Sequence, residues 1–302
     1  MLISIDHGNK QIKTLNRIFT SGLIESDTKP PFGEDILRYR GKYYSLSDKR
    51  IPYMRDKTVD ERFFILSLFS IAHEIKCAGI DMMNSGAISL SLIAGLPPAH
   101  FGSLYKKFEA YFTNRGLISF EYNNLAYSIR IDDTTCYPQA IAAAWTEFSQ
   151  IKDEPKVIII DIGGYTADYV QMKNGKADFA VCDSLEHGVI KLYNDIIRKV
   201  NAEMDILLDE SDIDAIIHKK CVNFASEIHT IVHNMATAFV NNLLGMLRER
   251  DIDLRIGKTM FIGGGSILLR KYISDCNKVG VHIFNDDIAA NVKGYELMHR
   301  FR

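Results

Sequence analysis

No proline follows position 155: all seven lie at Pro155 or before it, so residues 156–302 carry none of the breaks that punctuate the first half. Cysteine is scarce. The five (Cys77, Cys136, Cys182, Cys221 and Cys276) are scattered and form no C-x-x-C. This excludes a disulfide framework or a structural zinc site and predicts reduced, buried thiols in a cytoplasmic protein. No apolar run approaches the ~20 residues needed to cross a bilayer. The opening MLISIDHGNK meets an Asp after five residues, which is not the pattern of a signal peptide. No membrane association is therefore expected. Charge of one sign is also lacking: Lys+Arg 36 against Asp+Glu 38 leaves −2, with no surplus for direct nucleic-acid binding. The one tryptophan, Trp145, reads as a packing residue.

What is present is ordinary globular composition, 47% apolar and 25% charged, over 302 residues. At ~150 residues per domain that suggests two domains. The charged connector Lys152-Asp153-Glu154-Pro155 is the expected boundary, giving domains 1–152 and 153–285, the first completed by a C-terminal helix over 286–302. In the first, strands are expected at 2–5 and from the turn Asp6-His7-Gly8-Asn9 to about Phe19, with a hairpin over 36–46 around Arg40-Gly41. A helix over 58–78 would open on a Thr58/Glu61 capping box and stop at Gly79. A strand over 88–96, a helix after Pro97-Pro98, and a hairpin around Asn123-Asn124 follow, and Pro138 is expected to start a helix to about Ser149. The second domain begins again in the same way, with strands over 157–160, 167–172 and 176–182, helices over 186–200 and 222–250, and a strand over 258–262. A helix after that strand, a strand over 281–284 and a last helix from about Asp286 complete the pattern.

Three segments carry chemistry together: Asp6-His7-Gly8-Asn9-Lys10-Gln11-Ile12-Lys13, Asp161-Ile162-Gly163-Gly164-Tyr165-Thr166-Ala167-Asp168, and Phe261-Ile262-Gly263-Gly264-Gly265-Ser266. In the first two an apolar strand meets an Asp, and a Gly two residues later permits a tight return. The turn amides of such a hairpin cradle phosphate oxygens, and the Asp can hold Mg²⁺ directly or through water. The triple glycine lets backbone approach a flat or anionic ligand. Each segment alone is an ordinary turn; the ordered trio makes the chain read as a duplicated domain with a nucleotide between the halves.

With these residues the chain resembles the actin-like ATPases, and among them the bacterial plasmid-segregation actins of the ParM type. Asp6-x-Gly8 with Lys13 is similar to the family's first phosphate motif, Asp161 to Asp168 to the second, and FIGGGS at 261–266 to the adenosine motif. Residues 137–144 resemble the first connecting motif and residues 287–295 the second. The resemblance implies an α/β actin-like fold of two ribonuclease-H-like domains flanking a nucleotide cleft. It implies ATP and Mg²⁺ as cofactors, Asp6 and Asp161 as metal-binding and catalytic residues, and Gln139 as the residue that places the attacking water. Gly8, Asn9, Lys13, Gly163, Gly164, Thr166, Gly263, Gly264, Gly265 and Ser266 would contact the nucleotide. It further implies an ATPase whose polar self-assembled filaments turn over with hydrolysis and segregate plasmid DNA through a DNA-bound adaptor of the ParR type.

Where the ParM type often has Glu, this chain has Gln139. Gln is no general base at neutral pH, though it can orient water by accepting and donating hydrogen bonds. A non-hydrolysing nucleotide-dependent scaffold therefore stays open beside the ATPase, as does a small-molecule kinase of the same fold superfamily. His229 and His233 have helical spacing but lack the Glu a zincin needs, and read as polar-face residues. His7 reads as an outward turn residue or a phosphate contact, and Asp168 as a cleft carboxylate or a strand-edge residue. The segment over 203–220 reads as a solvated smaller subdomain or as a nucleotide-base or filament contact, and the Lys/Arg-rich stretch from Arg40 to Lys57 as a filament contact or a charged surface.

Overall fold

The computed structural model describes residues 1–31, 33–81, 86–220 and 223–301. The backbone divides into two compact units, residues 1–146 with 289–302, and residues 147–288.

The first unit opens with β1 (Leu2–Ser4), β2 (Asp6–His7), β3 (Gln11–Lys13), β4 (Ile18–Thr20), β5 (Leu23–Ser26), β6 (Ile36–Tyr39) and β7 (Lys42–Leu46). Then come α1 (Arg62–Cys77), β8 (Ile88–Leu96), α2 (Pro98–Thr113), β9 (Leu117–Tyr122), β10 (Leu125–Pro138) and the short α3 (Ile141–Trp145). One sheet runs β1-β8-β10-β9-β6-β7-β5, with β1, β8 and β10 parallel. A small antiparallel sheet runs β2-β3-β4. Between β1 and β2 the Ile5 N–H donates to the Ile93 carbonyl at 2.8 Å, so the two strands continue one another along β8. The composite order is β4-β3-β2/β1-β8-β10.

The second unit contains β11 (Val157–Ile162), β12 (Ala167–Lys173), β13 (Lys176–Leu185), α4 (Val189–Met204), α5 (Glu210–Ile217), α6 (Ser226–Arg248), β14 (Lys258–Ile262), α7 (Gly264–Ser274) and β15 (Val281–Phe284). Its sheet runs β13-β12-β11-β14-β15, antiparallel in the first two pairings and parallel in the last two. This is the same order as in the first unit: a three-strand meander followed by two parallel strands, the ribonuclease-H-like arrangement. The last helix, α8 (Ala290–Arg300), belongs to the first unit.

Each unit has its own core. In the first, α1 buries twelve of its sixteen residues against the sheet, so it is apolar on nearly every side. Its buried Glu74 is satisfied by Thr14 and by the Asn16 backbone and side chain. The helix ends in a Schellman motif: Gly79 has φ +69°, its N–H meets the Lys76 carbonyl, and Ile80 N–H reaches Ile75. In the second unit α5 sends Ile213, Ile216 and Ile217 into a core shared with α4 and α6.

Several expectations are corrected. Asp6 and His7 remain in a strand, and the return strand is broken after Lys13, so β4 is separate. The Thr58 capping box does not form; Thr58 instead donates to Asp56, and α1 starts at Arg62, whose backbone N–H is taken by Asp60. The segment over 203–220 holds the end of α4 and the capped helix α5, with Asp209 and Asp212 exchanging bonds at its start, and α5 packs into the core. The long helix runs Ser226–Arg248; its expected first residue, Val222, lies outside the described residues. The last helix begins at Ala290. Pro138 starts no helix. It ends β10, paired with Leu96, because the Gln139 N–H that follows still donates to the Leu96 carbonyl at 2.8 Å. Of the described cysteines, Cys136 is buried, Cys182 and Cys276 are intermediate and Cys77 is exposed, so burial is not general; Cys221 lies outside the described residues.

Two glycines should respond with opposite signs. A Cβ at Gly294 would lie 1.8 Å from the Ala142 carbonyl, where α8 crosses α3. A Cβ at Gly102, exposed on α2, would meet nothing within 4 Å. Chemical denaturation should show Gly294→Ala losing about 3 kcal/mol or more, and Gly102→Ala gaining roughly 0.5–1 kcal/mol.

Candidate functional site

The two meanders carry hairpins of the same length and register. Asp6 pairs with Lys13, and Asp161 with Asp168. Gly8 thus corresponds to Gly163, Asn9 to Gly164 and Lys13 to Asp168.

In the first hairpin Asp6 is 2% exposed. Its Oδ2 accepts from Lys13 Nζ at 3.3 Å and its Oδ1 from Gln139 Nε2 at 2.7 Å. The carboxylate can only accept, so the Gln139 amide nitrogen faces Asp6 and its carbonyl Oε1 faces away. Gln139 follows the end of β10 directly, ahead of α3. It is therefore not in the first turn of a helix, and a helix dipole has no part in its placement. Gly8 and Lys10 turn their carbonyls to Ser21, through its hydroxyl at 2.6 Å and its N–H at 3.0 Å. Because each peptide is planar and trans, the N–H groups of Asn9 and Gln11 point the other way. A Cβ on Gly8 would fall 2.6 Å from the Gln11 carbonyl. Asn9 Oδ1 accepts from the Met54 N–H at 3.4 Å.

The second hairpin repeats this device with different parts. The first amides of α4 and the residue before it are spent on the turn: Gly188 N–H donates to Tyr165, Val189 to Gly163 and Ile190 to Gly164, at 2.8–3.1 Å. The N–H groups of Gly164, Tyr165 and Thr166 consequently face away from α4. Gly188 must lack a side chain, since a Cβ would lie 2.4 Å from the Gly164 carbonyl. Asp161 is buried, and its Oδ1 sits 2.1 Å from where a Cβ on Gly263 would stand. Gly263 has φ +84°, so glycine is required there twice over. Gly264 opens α7 with a free face, its Cβ position 3.6 Å from Ile288, while Gly265 is pressed against Ile162. Ser266 is fully buried and its hydroxyl has no hydrogen-bond partner. Thr166 donates to Asp168 at 3.1 Å and Ser184 donates to its other oxygen, so Asp168 is locked within its sheet.

The structure thus joins Asp6, Lys13 and Gln139 in the first unit. In the second it joins Asp161 with Gly263, and Thr166 with Asp168. Among the described residues no group of three or more His, Cys, Asp or Glu is arranged to hold a metal. His233 meets the Tyr272 hydroxyl at 2.5 Å. In the stretch over 40–57, Arg40 pairs with Glu61 and Lys42 with Glu25, while Lys57 is buried. Gly188 escaped the sequence reading, while Ala140 and Asn291 lie within the two segments that resemble connecting motifs but were given no role of their own. Ala140 has φ +62° and Asn291 Oδ1 accepts its N–H at 3.0 Å. For Gly188 the available signal was a glycine at the start of a helix after a meander; the helix expected over 186–200 took it in as an interior residue.

His7 is neither turned outward nor placed on a phosphate. It lies at 1% exposure among Phe63, Phe108 and Phe112, with Nε2 2.7 Å from Ser67 Oγ. The Ser67 hydroxyl donates to the Phe63 carbonyl, so the imidazole Nε2–H donates to Ser67.

The fold of these two units is that of actin and its homologues. Residues 159–275 match the family model described as archaeal actin homologue MreB-like, C-terminal. No curated protein sequence matches the chain. Among solved structures it is similar to Ta0583, an archaeal actin homologue in complex with ADP, at 18% identity and TM-score 0.73, covering 100% of both chains. It is similar to a ParM from Clostridium botulinum in a 15-stranded filament, at 16% identity and TM-score 0.74, covering 100% of this chain and 99% of that one. It is also similar to Bacillus thuringiensis ParM with AMPPNP, at 12% identity and TM-score 0.70, covering 99% and 98%. Among the described residues no helix is long and apolar enough to cross a membrane.

His7 supplies a pH test of the first hairpin. Burial, and then the charge of Lys57, push its imidazole down from 6.5 to about 3. The unfolded chain takes up this proton first as pH falls. The contribution to stability is therefore intact above about 6.5 and is lost towards about 3, at roughly 1.4 kcal/mol per pH unit. Urea denaturation of wild type and His7→Phe should show the wild type losing about 2 kcal/mol more between about pH 7 and pH 5. Parallel pH profiles would contradict the buried neutral imidazole.

Proposed function

We propose that the chain is an ATP hydrolase that assembles into filaments and releases subunits as hydrolysis proceeds. The observation that carries the reading is the repeated hairpin: a buried Asp at the same register position in each unit, beside a turn whose carbonyls are held on one side so that the amides of 9 and 11, and of 164–166, face the other. The full-length likeness to actin homologues supports it, because relatives of this fold were solved with ADP, with AMPPNP and as a filament. In this reading the N–H groups at 9, 11 and 164–166 and the amino group of Lys13 meet phosphate oxygens. The open face of Gly264 and the buried Ser266 hydroxyl serve the nucleoside. Asp6 and Asp161 are the carboxylates suited to Mg²⁺, and the close fit of Asp161 against Gly263 fits such a role. Mg²⁺ would supply charge neutralisation of the phosphates.

Gln139 acts by placement and not as a base. Its Nε2 is held by Asp6, which leaves Oε1 to accept a hydrogen from the attacking water. A nucleotide-dependent scaffold without turnover is the alternative that Gln139 favours. Plasmid segregation through a DNA-bound adaptor of the ParR type, in the cytoplasm, is the cellular role that the reading suggests.

Light scattering and phosphate release on adding ATP and Mg²⁺ test the reading. Gln139→Ala should slow phosphate release by roughly 10–10³-fold with little change in ATP affinity, so that filaments form and persist. Filaments that form and decay on the wild-type schedule would remove Gln139 from the chemistry, and filaments without phosphate release in wild type would favour the scaffold. Gly264→Ala separates ligand from fold. Its Cβ has room in the protein, so the thermal midpoint of the nucleotide-free chain should hold, while ATP affinity falls by about tenfold or more. Unchanged affinity would sink the proposed cradle.

A further inference from the structure

We propose that Asn291, on the C-terminal helix α8, is the positioning residue for Gln139, and that it acts by holding a strained turn at Ala140. The inference rests on the hydrolytic role given to Gln139 above.

Ala140 has φ +62° and ψ −53°. The N–H of Ile141 donates to the Gln139 carbonyl at 2.6 Å. Together these define a three-residue γ-turn of the rarer, strained hand, centred on an alanine. A non-glycine residue stays in such a conformation only where its surroundings over-determine it.

Three bonds do so here. Gln139 N–H is fixed to the Leu96 carbonyl at 2.8 Å, which anchors the turn to β8. Ala140 C=O accepts from Ala144 N–H at 2.9 Å, which joins it to α3. Ala140 N–H donates to Asn291 Oδ1 at 3.0 Å. Of the three, the last comes from a side chain, and it acts on the residue adjoining Gln139. Ala140 is fully buried and Asn291 is 8% exposed, so water is a poor substitute for that acceptor.

The helix that carries Asn291 is itself fixed. Gly294 lies against the Ala142 carbonyl, and the Tyr295 ring end fills the place of a Gly95 side chain. The acceptor oxygen is therefore presented at a set position. Releasing Ala140 to an ordinary backbone conformation would rotate the preceding peptide. Gln139 would then lose the 2.7 Å bond to Asp6 that fixes the direction of its amide.

The test uses the full chain. Asn291→Ala should lower kcat for ATP hydrolysis by roughly tenfold or more and leave KM for ATP within about twofold. Hydrogen exchange over 137–145 should accelerate at the Ala140 amide. Asn291→Asp keeps an acceptor oxygen at the same reach and should restore both kcat and protection. Asn291→Ser serves if the alanine variant does not fold, with the same expected slowing. An alanine or serine variant with wild-type kcat would overturn the proposal. So would an Ala140 amide that exchanges at the wild-type rate, or an aspartate variant as slow as the alanine one. Wild-type chain that releases no phosphate would remove the hydrolytic reading instead; the exchange comparison would still decide whether Asn291 holds the turn.

Discussion

The carboxylate of Asp6, almost wholly withdrawn from water inside an apolar sheet, is tolerable only because both of its oxygens are hydrogen-bonded. Each partner arrives by a different structural route. Lys13 is delivered by the register of the β2–β3 hairpin. Gln139 is delivered by the end of β10 and the turn that follows it, and that turn depends on α8. The beginning, the middle and the end of the chain therefore converge on one side chain. Leaving such a group without a partner costs about 1–3 kcal/mol, and more if it is charged. The exposed pairs, such as Arg38 with Glu121, are worth only about 0–1 kcal/mol. The buried carboxylate is the one that disciplines the fold of this unit.

The two units show what a duplicated architecture keeps and what it changes. Strand order, hairpin length and the buried Asp are common to both. The partner across the hairpin is not: Lys13 in the first, Asp168 in the second. A lysine at that position satisfies its own unit's carboxylate and still brings a positive charge to the turn. An aspartate there cannot form an ion pair with Asp161, and its two oxygens are hydrogen-bonded instead by the hydroxyls of Thr166 and Ser184. Asp161 is accommodated instead by the missing side chain at Gly263. The support of the turn carbonyls diverges too, with Ser21 serving the first turn and the start of α4 the second. These substitutions are physically equivalent solutions to one constraint, which is to turn carbonyls away so that amides face the opposite side.

Much of this was legible in the sequence. Strand β8, the Arg40-Gly41 and Asn123-Asn124 hairpins, and the strand before the triple glycine follow from alternation and turn chemistry, which act over a few residues. The Asp-x-Gly segments and FIGGGS drew attention to the residues that the structure joins in each unit. The errors came where a tertiary contact overrode a local signal. Thr58 looked like a helix cap but is held by Asp56, two residues back. Pro138 looked like a helix start, since proline suits that position. The strand ladder with Leu96 extends through it, because proline's missing N–H is no loss at a position where the partner strand asks for none. His7 looked outward because turns are polar, yet α1 and α2 surround it with aromatic rings. The helix α5 was masked by its charges, although Ile213, Ile216 and Ile217 sit at helical spacing among them.

The identity of residue 140 follows from the same balance. A glycine would adopt the positive φ without strain, but it would also leave the turn free to take other conformations. A larger side chain would have to fit a site with no exposure at all. Alanine accepts strain of about 1–3 kcal/mol in return for a single geometry. No individual hydrogen bond, at about 0.5–1.5 kcal/mol net, offsets that with certainty. The combination does: the Asn291 bond, the Leu96 bond, and the close packing of α3 on α8 at Gly294 and Ala142. The packing of the last helix is thus part of the energetics of the turn at Gln139, and a change to α8 is felt at Asp6 without touching it.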